Sequence, residues 1–265
     1  MKEDDIRKAV REGYSRIATQ GDSCCGPETS CGCGSSADTF SKVMGYTDSD
    51  LGAIPEGANL GLGCGNPIAL ASLKEGEVVL DLGSGAGIDC FLAAAVVGKT
   101  GKVIGVDMTP AMLEKARENA RKGDFGNVEF RLGEIEHMPV ADNSIDVIIS
   151  NCVINLSPDK KQVFNEAYRV LKPGGRIMVS DIVLLKELPD EIRNSIDAYV
   201  GCVAGADTKD NYLAAIESAG FTDIKIVGEL STRGMWSSVD YTDANQEIDT
   251  ITSSISSLKV SATKP

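Results

Sequence analysis

The stretch VVLDLGSGAGIDC, residues 78–90, decides the fold class of this chain. A run of apolar and β-branched residues leads directly into Gly83, Gly85 and Gly87, and a helical pattern follows. Glycines let the backbone turn sharply and approach a ligand closely, and the first turn of a helix presents N–H groups without intrahelical partners. The stretch therefore predicts a strand, a nucleotide-binding turn and a helix. The alternative is that the glycines only shape a tight turn.

An acidic residue at the end of the next apolar run supports the nucleotide interpretation. The run KVIGVD (102–107) ends in Asp107, twenty-four residues beyond Gly83. A carboxylate at this place can accept hydrogen bonds from both hydroxyls of a ribose. The spacing favours a ligand that carries a ribose, although a solvated strand end is the alternative for Asp107.

Short apolar runs alternate with helical patterns through the middle of the chain. This alternation is typical of parallel βαβ units with right-handed crossovers, and it predicts an α/β fold with a doubly wound, mostly parallel sheet. The predicted strands are 77–82, 102–107, 127–132, 145–151 and 175–185, and the predicted helices are 87–98, 110–122 and 159–171.

The two ends of the chain carry weaker patterns. Residues 2–20 have an apolar stripe at three- and four-residue spacing, which predicts a helix. Two helical stretches, 189–202 and 208–219, precede a strand at 221–228. The stretch 258–264 alternates like an edge strand that pairs back onto the sheet, whereas 231–256 is polar and gives little signal.

Charge and hydropathy exclude two classes of partner. The net charge is −13, and no cluster of Lys and Arg offsets it, so a nucleic-acid substrate is not expected. No apolar run approaches the roughly 20 residues that span a bilayer, and the N-terminus is charged where a signal peptide is apolar. We therefore expect no membrane association and a cytoplasmic location.

Eight cysteines in such a chain are expected to be reduced. Four of them, Cys24, Cys25, Cys31 and Cys33, lie in the glycine-rich stretch 21–36, which is predicted to be a loop. They are close enough together to bind zinc, but the loop lacks two separated C-x-x-C pairs. A zinc cluster therefore stays an alternative to a redox role.

Three other cysteines, Cys64, Cys152 and Cys202, lie where a ligand is expected. Cys152 follows the fourth predicted strand, and Cys64 lies within a second glycine triplet in NLGLGCGNP. Cys202 is flanked by small residues that leave its sulfur accessible. The alternative is that each is a small buried apolar residue. Their spacings of 88 and 50 residues disfavour structural zinc, and the single histidine, His137, excludes a histidine-rich metal site.

The order of the glycines resembles one class of enzymes in particular. The pattern D-L-G-x-G-x-G, with Asp81 before the first glycine, is similar to that of the Rossmann-like (class I) methyltransferases, and this resemblance covers roughly 76–186. It implies S-adenosylmethionine as the cofactor. The residues that the resemblance assigns to its site are Asp81, Gly83, Ser84, Gly85, Gly87, Asp107, Met108, Met112, Glu134, Ile135 and Asn151.

A narrower resemblance concerns the cysteines. The stretches GLGCGNPIALASLKEGEVVLDLGSGAGID (61–89) and SNCVINLSPDK (150–160), with a cysteine fifty residues after Cys152, resemble the arsenite methyltransferases. The resemblance implies that Cys64, Cys152 and Cys202 bind trivalent arsenic, and that Cys33 or Cys31 pairs with Cys64 during turnover. The implied partners are arsenite or its small-thiol complexes and a thioredoxin-like or small-thiol reductant.

Two other functions remain open at this point. The nucleotide motif also fits a methyltransferase for a small organic metabolite, such as a quinone or sterol precursor, in which the cysteines only pack. A non-catalytic metalloid sensor is the second alternative. We expect three parts in the chain, namely an N-terminal helix with the cysteine-rich loop (1–56), a methyltransferase domain (57–187) and a C-terminal α+β extension on the substrate side (188–265).

Overall fold

The computed structural model describes residues 3–20, 37–231 and 253–265. The loop predicted at 21–36, with its four cysteines, lies outside the described residues, as does most of the polar stretch 231–256. Whether the loop binds zinc or has a redox role therefore remains a prediction.

The strands of the described chain form one seven-stranded sheet. They are β1 (Val78–Leu82), β2 (Lys102–Asp107), β3 (Val128–Leu132), β4 (Ile145–Asn151), β5 (Leu171–Leu184), β6 (Thr222–Ser231) and β7 (Ile255–Thr263). Their order across the sheet is β3-β2-β1-β4-β5-β7-β6. The pairs among β1 to β5 are parallel, and β7 runs antiparallel to both of its neighbours. The predicted doubly wound, mostly parallel α/β fold is confirmed.

Helices cover both faces of this sheet. They are α1 (Glu3–Gln20), α2 (Ala37–Val43), α3 (Asp48–Ala53), α4 (Ile68–Ala71), α5 (Ile88–Val97), α6 (Pro110–Lys122), α7 (Lys160–Val170), α8 (Asp190–Arg193), α9 (Ile196–Val200) and α10 (Lys209–Ser218), with a 3₁₀ turn at Ile154–Leu156. Successive strand residues point to opposite faces. Thus Leu80 and Leu82 pack in the core that includes α7 and α10, whereas Val79 packs in the core that includes α5 and α6.

The strand order reverses at β1, which lies between β2 and β4. Open α/β sheets bind ligands at such a point, outside the carboxyl ends of the strands. The glycine turn follows β1 there, and Cys152 follows β4 at the same edge. The fold therefore brings the predicted nucleotide site and one of the predicted thiols to neighbouring strand ends.

The terminal segments add a third apolar cluster that contains the predicted thiols. It includes Val10 of α1, Tyr46 between α2 and α3, and Tyr199 of α9, together with Cys64, Cys152 and Cys202. The helix α1 contacts both α6 and α9. Segments from both ends of the chain thus surround the thiols.

The predicted edge position of the last strand was wrong. β7 begins at Ile255 and lies between β5 and β6, so that β6 is the edge strand. The alternation over 258–264 indicated one exposed face, but no residue of β7 is exposed. Ser256 and Ser257, which precede that stretch, are buried and donate hydrogen bonds to the carbonyls of Leu230 and Cys64. Because a serine hydroxyl is small and readily satisfied by a carbonyl, it does not require solvent.

The helical stretch predicted at 189–202 is divided into α8 and α9. The break falls at Asn194 and Ser195, and the Ser195 hydroxyl accepts a hydrogen bond from the N–H of Ala198 to cap the second helix (3.2 Å). The division of the chain into three parts remains a prediction, although strands from the second and third parts share one sheet. None of the described helices has the length and apolar character needed to cross a bilayer.

Candidate active site

The turn after β1 uses its three glycines in different ways. Gly83, Gly85 and Gly87 have φ values of +65°, +52° and +99°, in the left-handed region that favours glycine. A Cβ at Gly83 would overlap the side chain of Val153, and one at Gly87 would lie 2.7 Å from the ring of Phe91. A Cβ at Gly85 would meet no atom within 4 Å. The outer glycines are therefore required by packing, and the middle one borders open space.

Asp107 holds this turn from the end of β2. Its carboxylate accepts hydrogen bonds from the N–H of Gly85 (2.9 Å) and from the N–H of Thr109 (2.7 Å). Burial raises the pKa of Asp107, and the two N–H groups oppose that rise. The predicted ribose-binding carboxylate is thus fixed against the glycine turn by backbone groups.

Two more buried carboxylates lie close to Asp107. Asp81 accepts a hydrogen bond from the Cys90 thiol (3.2 Å), and Asp89 in the first turn of α5 accepts one from the Tyr46 hydroxyl (2.7 Å). Burial, and then the charges of Asp89 and Asp107, raise the pKa of Asp81 well above its usual value. Burial raises the pKa of Asp89 to about 6.

These carboxylates lack basic partners in the described part of the chain, where no ion pair involves Asp81, Asp89 or Asp107. The buried hydroxyl of Ser84, in the same turn, also lacks a hydrogen-bond partner there. Buried charges in proteins are normally paired, and buried hydroxyls are normally hydrogen-bonded. The site therefore fits a ligand that brings positive charge and polar atoms.

The other predicted cofactor residues lie around the turn in varied environments. Met112 is buried beneath α1, and Met108 packs at the edge of the cluster that holds the thiols. The carboxylate of Glu134 lies 3.7 Å from the guanidinium of Arg7 on α1. Ile135 packs in the core on the α7 side of the sheet. Contact of these four residues with a cofactor remains a prediction.

Cys64, Cys152 and Cys202 come together as buried free thiols from three separate segments. The Cys202 thiol donates to the carbonyl of Cys152 (2.8 Å), and the Cys64 thiol donates to the carbonyl of Ser180 (3.5 Å). Hydrogen bonding with Cys202 and Cys64, together with burial, raises the pKa of the Cys152 thiol well above its usual value. Among the described residues, no group of three or more His, Cys, Asp or Glu is arranged to hold a metal ion. The thiols are thus adjacent, and those of Cys64 and Cys202 point toward carbonyls.

Two of these cysteines have backbone conformations that favour glycine. The φ values are +60° at Cys152 and +63° at Cys202, whereas Gly201 next to Cys202 has a φ of −77°. A non-glycine residue in the left-handed region costs on the order of 1–3 kcal/mol and persists only where the surrounding structure holds the backbone in that conformation. At both positions a cysteine occupies a backbone conformation in which glycine would be less strained.

The side chain of Asn151 links the thiol site to the glycine turn. Its amide nitrogen donates to the carbonyl of Gly65 (2.8 Å), to the Tyr46 hydroxyl (3.0 Å) and to the carboxylate of Asp89 (3.2 Å). Its amide oxygen accepts from the N–H of Cys64 (2.9 Å). The residue predicted to contact the cofactor therefore also holds the loop that carries a predicted arsenic ligand.

Segments from the two ends of the chain complete the surroundings of the thiols. The Tyr14 hydroxyl of α1 donates to the carbonyl of Val200 (3.3 Å) and lies 3.9 Å from the sulfur of Cys202. From β7, the hydroxyl of Ser257 donates to the carbonyl of Cys64 (2.7 Å). Backbone groups on both sides of Cys64 are thus fixed by side chains distant in the sequence.

Sequence reasoning missed four residues of this site, namely Tyr14, Tyr46, Asp89 and Ser257. Asp89 carried a usable signal, because an acidic residue in the first turn of a helix beside a glycine-rich motif can interact with a ligand as well as with the helix dipole. Tyr46 and Ser257 carried none, since only the assembled fold brings them to the carboxyl edge of the sheet.

Comparisons with known proteins identify relatives of this chain. A family model described as a methyltransferase domain matches residues 73–220. An arsenite methyltransferase of Halobacterium salinarum is 52% identical over 84% of this chain and 59% of its own length. The human arsenite methyltransferase is 40% identical over 62% of this chain and 46% of its own length. This chain thus spans about half, or a little more, of these curated relatives.

A solved structure also matches. The crystal structure of an arsenic(III) S-adenosylmethionine methyltransferase from Chlamydomonas reinhardtii is 35% identical, with a TM-score of 0.64. The match covers 85% of this chain and 73% of that chain.

Proposed function

This chain belongs to the methyltransferase-domain family and, within it, to the arsenite methyltransferases, and we propose that it methylates trivalent arsenic bound by its own cysteine sulfurs. The observation that carries the proposal is the meeting of Cys64, Cys152 and Cys202 at the sheet edge that also holds the glycine turn. The proposed role is arsenic detoxification.

The thiol cluster suits trivalent arsenic because this element is soft and three-coordinate, and thiolates are soft ligands. Arsenous acid is uncharged near pH 7, so a protein with a net charge of −13 does not repel it. Each of the three thiols, Cys64, Cys152 and Cys202, forms one arsenic–sulfur bond and passes its proton to the departing hydroxyl, which leaves as water. Three bonds release three waters and leave the arsenic lone pair available.

The residues of the glycine turn fit S-adenosylmethionine. Asp107 would hold the ribose hydroxyls, the unpartnered hydroxyl of Ser84 would find a polar partner, and the open space at Gly85 would take ligand atoms. Burial raises the pKa of Asp81 and Asp89, and a positively charged ligand would favour their ionised forms, which would then compensate its charge. When bound, S-adenosylmethionine would supply an electrophilic methyl group to which the arsenic lone pair donates, and the donor would leave as S-adenosylhomocysteine. The enclosure of Cys202 by Tyr14 and α1 would keep water from the thiols.

Repeated turnover requires electrons, because methylation formally raises arsenic to the pentavalent state. In the proposed step a thiol of the loop, Cys33 or a neighbour, attacks the sulfur of Cys64. A disulfide forms, the bond between arsenic and Cys64 breaks, its electron pair returns arsenic to the trivalent state, and one proton is released. A thioredoxin-like or small-thiol reductant then restores both thiols.

The rival function is methylation of a small organic metabolite. That function leaves the three cysteines as packing residues and gives no reason why cysteine, and not the less strained glycine, occupies the left-handed backbone positions 152 and 202. A non-catalytic sensor would use the thiols but gives no reason for the buried carboxylates around the glycine turn.

The deciding experiment incubates the purified chain with S-adenosylmethionine, arsenite and a reducing thiol, and detects methylated arsenic by mass spectrometry. Cys64→Ser, Cys152→Ser and Cys202→Ser are assayed in parallel, and titration with S-adenosylhomocysteine checks that each variant keeps an intact donor site. We expect product from the wild type and its loss in Cys152→Ser and Cys202→Ser. Wild-type protein that binds S-adenosylhomocysteine but methylates no arsenical would refute the proposal, and a panel of quinols would then be assayed.

A further inference from the structure

The amide of Asn151 is placed where the two halves of the proposed site meet. On one side it accepts a hydrogen bond from the N–H of Cys64 (2.9 Å), and on the other it donates to the carboxylate of Asp89 (3.2 Å) at the start of α5. Because Asp89 lies two residues beyond Gly87 of the donor turn, one side chain touches both a proposed arsenic ligand and the donor site.

The donor capacity of this amide is already occupied by groups of the protein. Its nitrogen also contacts the carbonyl of Gly65 (2.8 Å) and the hydroxyl of Tyr46 (3.0 Å), and Tyr46 itself donates to Asp89 (2.7 Å). An amide nitrogen carries only two hydrogens, which these three acceptors share. A direct bond from this nitrogen to a cofactor is therefore not its main role.

The loop that carries Cys64 is packed closely around the same amide. A Cβ at Gly63, whose φ is +105°, would lie 2.7 Å from the amide nitrogen of Asn151, and a Cβ at Gly65 would overlap the hydroxyl of Ser180. Gly63 thus packs directly against the amide, and two hydrogen bonds, from the N–H of Cys64 and to the carbonyl of Gly65, tie the loop to it. A shift of the amide would thus move Cys64.

The opposite end of the network responds to charge. Tyr46 and Asp89 are both buried, and no basic side chain is ion-paired with Asp89 in the described part of the chain. A ligand that brings an ammonium group to the donor site favours the ionised form of Asp89. An ionised carboxylate accepts stronger hydrogen bonds from Asn151 and Tyr46 than a neutral one does. A filled donor site therefore strengthens the hydrogen bonds from Asn151 and Tyr46 to Asp89, which in turn hold Cys64 more firmly in place.

We propose that Asn151 is a positioning residue, which holds Cys64 in the thiol cluster and makes arsenite binding tighter when the methyl-donor site is filled. The proposal rests on the proposed function, because it takes the thiols as the arsenic site and the glycine turn as the donor site. Tyr46 is the second member of the network, since its hydroxyl bridges Asn151 and Asp89.

The test is isothermal titration of arsenite into the reduced full chain, with a phosphine reductant and with or without saturating S-adenosylhomocysteine. In the wild type we expect bound S-adenosylhomocysteine to lower the Kd for arsenite by about fivefold or more. The coupling is measured as the ratio of the arsenite Kd without S-adenosylhomocysteine to the Kd with it. Asn151→Ala should bring this ratio close to one. Asn127→Ala is the matched control, because it removes two amide hydrogen bonds, to the carbonyls of Ala94 and Gly98, at the C-terminal end of α5, away from the site. It should keep the wild-type ratio.

A second variant covers the case in which Asn151→Ala does not fold. Tyr46→Phe removes one hydroxyl, leaves the amide of Asn151 in place and should reduce the ratio by at least half. A wild-type ratio of one, or a wild-type ratio retained in Asn151→Ala or Tyr46→Phe, would overturn the coupling. A wild type that binds no arsenite while binding S-adenosylhomocysteine would instead refute the proposed function.

Discussion

Replacing Cys202 by glycine and by alanine separates backbone strain from sulfur chemistry. Cys202 follows α9 with a φ of +63°, and its N–H donates to the carbonyl of Tyr199 (2.9 Å), so the conformation is fixed by the end of the helix. Both variants lose the sulfur and its hydrogen bond to the carbonyl of Cys152 (2.8 Å). Their difference in stability therefore reports mainly the strain of placing a Cβ in the left-handed region.

The expected magnitude follows from two opposing effects. Glycine relieves left-handed strain of about 1–2 kcal/mol, but it loses about 0.4–1 kcal/mol through the greater entropy of its unfolded chain. Cys202→Gly should thus be more stable than Cys202→Ala by about 0.5–1 kcal/mol, which corresponds to a Tm higher by about 2 °C for a chain of this size. At an ordinary helical position the order would be reversed.

The assay is thermal and urea unfolding of both variants, followed by titration with arsenite. Both variants should lose tight arsenite binding, although the glycine variant is the more stable of the two. A glycine variant less stable than the alanine variant would refute the strain argument for Cys202. If either variant binds arsenite as tightly as the wild type does, Cys202 is not an arsenic ligand.

Three further predictions concern the buried groups around the site. Gly85→Ala adds a methyl group to open space and should weaken S-adenosylmethionine binding at least tenfold in a titration, whereas Gly126→Ala, also open to a Cβ, should leave it unchanged. Because the pKa of Asp89 is raised to about 6 and a cationic ligand favours its ionised form, the affinity for S-adenosylmethionine should fall as the pH falls below about 6, and Asp89→Asn should lose most of this dependence. Burial raises the pKa of Asp181 from 3.8 to about 7, so the folded state binds more protons than the unfolded state in this window. The free energy of unfolding should therefore fall as the pH rises through it, and urea titrations of Asp181→Asn should show a flatter profile.

The central part of the fold was predictable because its signals are local. The run from Val78 to Cys90 joins a buried strand, a glycine turn and a helix within one window, and strong periodicity marks the strands on either side. The end of the chain was harder, since the alternation over 258–264 predicted an edge strand, whereas the strand begins at Ile255 and lies between two neighbours, with Ser256 and Ser257 buried. Alternating polar and apolar residues predict that the polar face is exposed. A polar side chain can nevertheless be buried when a backbone carbonyl lies close enough to accept its hydrogen bond.

The site was predictable where a residue type restricts the chemistry. Cysteines are few, so Cys64, Cys152 and Cys202 could be singled out and are found together. Sequence patterns could not reveal that Tyr46 and Asp89 share a network with Asn151, because their contacts join segments 43 to 105 residues apart. A tyrosine or aspartate at the end of an element has many common roles, and only the assembled fold selects one.

Charge balance gives the thiol cluster a physical basis for preferring trivalent arsenic to a divalent metal ion in the proposed reaction. Arsenous acid enters uncharged and, with three thiols, gives an uncharged complex and three waters. Zinc with three thiolates would leave one negative charge in a cluster formed by apolar side chains, and buried unpaired charge is costly. Burial also disfavours negative charge nearby, since burial, followed by the charge of Asp181 and its hydrogen bond, raises the pKa of Tyr212 well above its usual value. Hydrogen bonds with Cys202 and Cys64, together with burial, raise the pKa of the Cys152 thiol, and the apolar surroundings therefore favour a substrate whose binding changes no net charge.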